Sequence, residues 1–151
     1  NGQWETRRFG AYVAGLFANG LDFNKDWAFN VHASAPLLPP GVIADQVVEK
    51  IRRDGVTAWV CAADHQGYQL MQDLKARGIR VPEDCSVTGY DGIEPPHGMP
   101  PLTTVRVPNE DIGAAAVARL LNRMSHPHSV GAKILLNTRF VIGATTARNE
   151  I

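Results

Sequence analysis

Two aspartates and an arginine combine side-chain type and spacing in a way that suits ligand chemistry. Asp64 comes just after the apolar run Thr57–Ala62 (TAWVCA), and Asp91 directly follows Ser86–Tyr90 (SVTGY). Arg7 opens an earlier helical pattern. Carboxylates accept hydrogen bonds from paired hydroxyls, a guanidinium donates to oxygens, and an aromatic face covers C–H surface, so this set suits a polyol. Each residue also has a plainer reading: Asp64 as a helix cap, Asp91 as a turn residue, Arg7 as a surface charge. Other chemistries find less support. Neither G-x-G-x-x-G nor G-x-x-x-x-G-K-[ST] occurs, so the usual phosphate-cradling loops are missing. No G-x-S-x-G elbow is present, and no spacing of Ser, His and Asp marks a triad. His126 and His128 flank Pro127 but lack a second ligand pair at finger spacing, and read as a solvated turn. His65 and His97 read as solvent or loop residues. The expectation is a protein without catalysis, cofactor or metal.

The elements that must position these residues alternate in type. Arg7–Ala18 places Phe9, Val13, Leu16 and Phe17 at helical spacing, and Asn19-Gly20 stops it. Trp27–Val31 (WAFNV) reads as a strand, and Ala33–Gly41 as a Pro-rich loop. Val42–Arg53 is helical through Val42, Ile43, Gln46, Val47 and Ile51, with Asp54-Gly55 as its stop. Thr57–Ala62 is a continuous apolar run of the kind buried on both faces of a parallel sheet. Asp64 caps a helix through Arg77, with Leu70, Met71 and Leu74 as its stripe and Gly78 as terminator. Ser86–Tyr90 is a strand, Gly92–Pro101 a loop, and Leu102–Val107 extended. Pro108 and Asn109 start a helix over Asp111–Met124, and Lys133–Ile142 reads as one long or two short strands. This alternation predicts an α/β fold with a mostly parallel sheet. Trp27 and Trp59 are expected in the core.

Composition agrees with a folded domain and narrows the partners. The chain has 151 residues, 44% apolar and 20% charged, with 15 basic against 15 acidic side chains. That is one globular domain's worth of chain, not a disordered segment. A module that neutralises DNA phosphates carries a basic excess, which this one lacks. No apolar run approaches the roughly 18 residues of a membrane span. The polar stretch Asn1–Arg8 is no secretory signal, and a start at Asn reads as a fragment or processed product. Cys61 and Cys85, in strand-like surroundings, read as two reduced core thiols.

The stretch AWVCAADHQGYQLMQDLKARGIRVPEDCSVTGYDGIEPPHGMPPLTTVRVP, Ala58 to Pro108, resembles the effector-binding half of the lactose-repressor (LacI/GalR) family of bacterial transcription regulators. The order and spacing of V-P-E-D, G-Y-D and P-L-T-T carry the resemblance, and Arg7–Gly10 fits the family's R-x-x-G. It extends through Asn109–Leu121 to about Thr146. The resemblance implies a periplasmic-binding-protein-like I fold: a parallel sheet flanked by helices, mainly the C-terminal subdomain. Residues 1–107 would be that effector-binding subdomain. Residues 108–132 would be a helix and loop belonging to an absent N-terminal subdomain, and 133–151 the returning strand or strands and tail.

The same resemblance implies a ligand-sensing and dimerising part of a cytoplasmic repressor. Its effector would be a small metabolite, a sugar being the family's commonest, with purines and other metabolites also known. Operator DNA would be met only through an absent headpiece, with no membrane contact, and the chain would form a homodimer. Ligand contacts fall on Gln3, Trp4, Arg7, Asp64 and Asp91. Tyr68 and Met71 lie on the helix that builds the family's dimer interface, their plainer role being helix packing. Three positions depart from the family's habit: Ala63 stands where Asn often precedes the Asp, Val107 where Gln is common, and Gly92 where an acid or amide often follows G-Y-D. A solute-binding protein of the same fold, secreted to serve a transporter, is the alternative.

Overall fold

Four helices and four strands follow from these patterns in the computed structural model, which describes residues 3–31 and 36–148, with side chains from Thr6 onward. They are α1 (Gln3–Ala18), α2 (Pro40–Asp54), β1 (Ala58–Val60), α3 (Asp64–Ala76), β2 (Ser86–Asp91), β3 (Thr103–Arg106), α4 (Asn109–Ser125) and β4 (Arg139–Val141). The sheet runs in the order β1-β2-β3-β4. β1 and β3 are parallel to β2, while β4 is antiparallel to β3.

The core lies on one face of this sheet. Trp59 and Val87, paired across β1 and β2, point to the same side. There they meet Ala44, Val47 and Val48 of α2 and Tyr68, Leu70, Met71 and Leu74 of α3. The buried positions of α3 recur at helical spacing because one stripe faces the sheet. Gly55 ends α2 at a left-handed φ of 69°, a conformation glycine adopts without a Cβ penalty. Thr145 joins the sheet from the far end of the chain: its hydroxyl donates to the Val87 carbonyl at 2.6 Å and accepts from the Thr103 amide at 3.0 Å.

Several expectations are corrected. Residues 27–31 form no strand; Lys25–Trp27 is a turn of 3-10 helix, with the Asn24 side chain accepting from the Asp26 amide. Trp27 is 38% exposed rather than core, its indole donating to Asp54 at 3.2 Å. The apolar run at β1 is buried on one face only, since Val60 is 60% exposed. Ala63, not Asp64, occupies the N-cap of α3, with Asp64 at the first helical position. Pro108 and Asn109 exchange roles in the same way at α4. Only Arg139–Val141 of the expected strand 133–142 pairs with a neighbour. Phe17 is exposed. Of the loop 33–41, residues 33–35 lie outside the described set, and Pro40 and Gly41 belong to α2.

Candidate ligand-binding site

The carboxyl ends of β1 and β2 meet the N-terminus of α3 at one edge of the sheet, where open α/β sheets receive ligands. Arg8, from α1, reaches this edge. Its Nη1 donates to the Ala62 carbonyl at 2.5 Å and its Nη2 to Asp91 Oδ1 at 3.1 Å. Its guanidinium carbon lies 3.7 Å from the centroid of the Tyr90 ring, a cation–π contact. The Arg8 and Asp91 side chains keep 24% and 34% of their surface, so a solute can reach the pair. A cation, a carboxylate and an aromatic ring therefore share one partly open place.

Asp91 adopts a φ of 125°, a region that residues with a Cβ rarely occupy and that persists only where surroundings enforce it. On one side β3 holds it, with the Val107 amide donating to the Asp91 carbonyl at 3.0 Å. On the other side stands Asp64. It is fully buried, and its Oδ2 accepts from the amides of Gly92 at 2.6 Å and Ile93 at 2.9 Å. Its Oδ1 accepts from the Thr104 hydroxyl at 2.6 Å. A Cβ on Gly89 would stand 2.2 Å from that oxygen, so the strand must be bare there for the carboxylate to fit. Gly92 is equally constrained. Its φ is 75° and a Cβ would meet the Arg106 side chain at 2.6 Å, which explains why no acid or amide stands at this position.

The residues expected at the ligand are thus sorted by the structure. Asp91 is at the open edge. Asp64 is close by but has no exposed surface, and both its oxygens are engaged by the protein. Arg7 is exposed on α1, and the ion pair with Asp91 is made by its neighbour Arg8. The side chains of Gln3 and Trp4 lie outside the described residues. Tyr68 and Met71, read at a dimer interface or as helix packing, are core residues of this chain with 4% and 7% exposure. The Tyr68 hydroxyl accepts from the Leu102 amide at 3.3 Å, and burial pushes its pKa upward. His65, His97, His126 and His128 are all exposed. Among the described residues, no group of three or more His, Cys, Asp or Glu is placed to hold a metal.

Arg8 had a signal in the sequence. Arg8, Phe9, Tyr12, Val13 and Leu16 form the half-buried stripe of α1, and Arg7 falls about 100° off its neighbour. Thr104 and Gly89 carry no such signal, because their role depends on a carboxylate far away in sequence. Cys85 is in the core and Cys61 packs against it; burial raises both thiols to about 12.

A family model described as a periplasmic binding protein-like domain matches residues 1–146. The transcriptional repressor PurR of Vibrio cholerae is 38% identical over 107 residues, 69% of this chain and 30% of that protein. A structure titled as a complex of the transcriptional regulator CelR with cellobiose superposes with a TM-score of 0.74 at 25% identity, covering 93% of this chain and 42% of that one. The lac repressor dimer bound to operator and the anti-inducer ONPF superposes with a TM-score of 0.56 at 32% identity, covering 69% of this chain and 37% of that one. The chain spans about a third of the length of the curated relative it matches. With its sheet, its helices and its ordered motifs in agreement, the chain belongs to the periplasmic binding protein-like domain family, in the lactose-repressor (LacI/GalR) branch.

Proposed function

We propose that this chain is the ligand-sensing part of a bacterial transcription repressor, binding a small polyhydroxylated metabolite, a sugar first, and working without catalysis. The observation that carries this reading is the Arg8–Asp91 pair over the Tyr90 ring at the carboxyl ends of β1 and β2. Asp91 would accept from vicinal hydroxyls, Arg8 would donate to ring or hydroxyl oxygens, and the ring would meet C–H surface. Support also comes from relatives named as repressors and from the neighbour described with cellobiose. Binding that favours one arrangement of two subdomains would change operator affinity by linkage.

In this reading residues 1–107 form the effector-binding subdomain, 108–132 pack on a subdomain outside this chain, and 133–151 return. The protein acts in the cytoplasm as a homodimer and meets operator DNA through a headpiece outside residues 1–151. Calorimetric titration of a longer chain carrying both subdomains with a panel of mono- and disaccharides tests it. At least one sugar should bind, and Asp91→Ala should weaken that binding by about one to two decades, the worth of a charge-assisted hydrogen bond. A panel without heat or thermal shift, or turnover of any sugar, overturns the reading.

A further inference from the structure

We propose that Asp64 is a positioning residue: a buried carboxylate that holds the chain after β2, so that Asp91 and Arg8 are presented at the open edge. The inference rests on the reading of that edge as the ligand site, and it gives Asp64 a part without contact to ligand. The physical case begins with the strain at Asp91. A φ of 125° has no intrinsic support in a residue with a Cβ, so the next residues must be held. Asp64 Oδ2 holds both of them, at 2.6 Å from the Gly92 amide and 2.9 Å from the Ile93 amide. Oδ1 ties the same group to β3 through Thr104 at 2.6 Å.

One side chain at the start of α3 therefore fixes the end of β2 relative to β3. The site inherits that geometry one residue away, because Asp91 Oδ1 is what Arg8 Nη2 meets at 3.1 Å. A buried carboxylate is costly unless its oxygens are satisfied, and here three donors satisfy it. Gly89 and Gly92 are the backbone conditions for this arrangement: the first makes room for Oδ1, the second allows the turn. Were Asp64 only a fold-stabilising group, its loss would be felt throughout the core. Were it a positioning group, the loss would concentrate at Gly92, Ile93 and Arg8.

Hydrogen exchange and guanidinium resonances of the 151-residue chain separate these outcomes without any ligand. In Asp64→Ala, amide exchange at Gly92 and Ile93 should accelerate at least about tenfold relative to that at Val47, Leu74 and Val87, consistent with losing hydrogen bonds to a charged group. The Arg8 guanidinium signals should shift or broaden in parallel, through its bond to Asp91. Asp64→Asn, which keeps the shape and one carbonyl acceptor, should partly restore both, and it decides the matter if the alanine variant fails to fold. Unmoved Arg8 signals, or equal acceleration at core and loop amides, overturn the proposal. Because no sugar is present, a chain that binds none would sink the functional reading and leave this result standing on its own.

Discussion

The sheet edge around Asp64 and the limb formed by α4 and residues 126–142 are both amphipathic in sequence, yet they end in opposite conditions. Around Asp64, α2, α3 and β2 bury Val47, Leu74 and Val87 completely. In α4 no residue is buried; Val117, Leu120, Leu121 and Met124 are each more than half exposed. Leu135, Phe140 and Ile142 are each more than half exposed as well. The limb also carries Arg119, Arg123, Lys133 and Arg139 against Glu110 and Asp111 at the start of α4, with no Asp or Glu from 112 to 142. Periodicity thus reports that a face is meant to be covered, but not by what. Around Asp64 the pattern becomes a core; in α4 the helix forms and its stripe stays exposed.

The largest expected effect breaks this comparison most directly. Leu74→Ala, at a fully buried position, should destabilise the chain by about 2–5 kcal/mol through lost burial and a residual cavity. Leu120→Ala, at 60% exposure, should change stability by within about 0.5 kcal/mol. Urea denaturation of both variants measures the difference. Similar losses at the two positions would mean that the limb is covered in solution.

The site edge can be sharpened next, by separating two adjacent arginines. Arg8→Ala should weaken sugar binding by about one to two decades, since it removes the donor at Asp91. Arg7→Ala should have a markedly smaller effect, because Arg7 lies on the exposed side of α1. Titrations in which Arg7→Ala is the weaker binder would return the ligand contact to the position that the R-x-x-G motif indicates.

Most of what positions this edge is legible in the sequence, and what is not has a physical cause. The helices α2 and α3, and β2 with its following Asp91, stand out because local periodicity and stop residues agree. The Trp27–Val31 strand failed because aromatic and branched residues fit a half-buried loop as well as a strand; Phe29 stacks on Trp59 at 5.4 Å without joining the sheet. The expected strand at 133–142 shortened because Ile134 and Leu135 have the composition of a strand but are largely exposed. Asp64 was found by its place after a strand, while its burial was not, since that depends on Gly89, Gly92 and Thr104. Tyr68 and Met71 take the plainer of their two roles within this chain, since their i, i+3 spacing lies on the buried stripe of α3.

Burial of Met71 decides which variant can report on association. Met71→Glu would place a charge in the core and unfold the chain rather than loosen a dimer. Leu120→Glu acts on the exposed stripe and leaves the core untouched. Exposed apolar area carries about 25 cal/mol per Å² of drive toward burial, so the chain should associate with rising concentration in sedimentation. The four cations of the limb outnumber its two acids, and this excess repels at low salt, so association should strengthen with ionic strength. Leu120→Glu should weaken it. A monomer at high concentration and high salt would show that the limb tolerates water.

The smallest effect concerns acid, and it divides the same two regions. Asp84 accepts from the Arg80 guanidinium at 2.5 and 2.9 Å and from the Arg80 amide at 2.8 Å, which holds its pKa down to about 2. Asp54, bonded first by Arg53 and also by Trp27 and Lys50, is lowered to about 2 as well. In the unfolded chain both revert toward 3.8. The unfolded state then binds more protons than the folded one in this interval. The contribution of each carboxylate is therefore present at pH well above 3.8 and is lost as pH falls through 3.8 toward about 2. Both residues belong to the compact half, and residues 112–148 have no carboxylate side chain to titrate. Asp54→Asn and Asp84→Asn together should flatten the dependence of urea stability on pH across that interval, while Leu120→Ala should leave its slope as it is. An unchanged slope in the double variant would show that these two carboxylates do not carry the acid sensitivity.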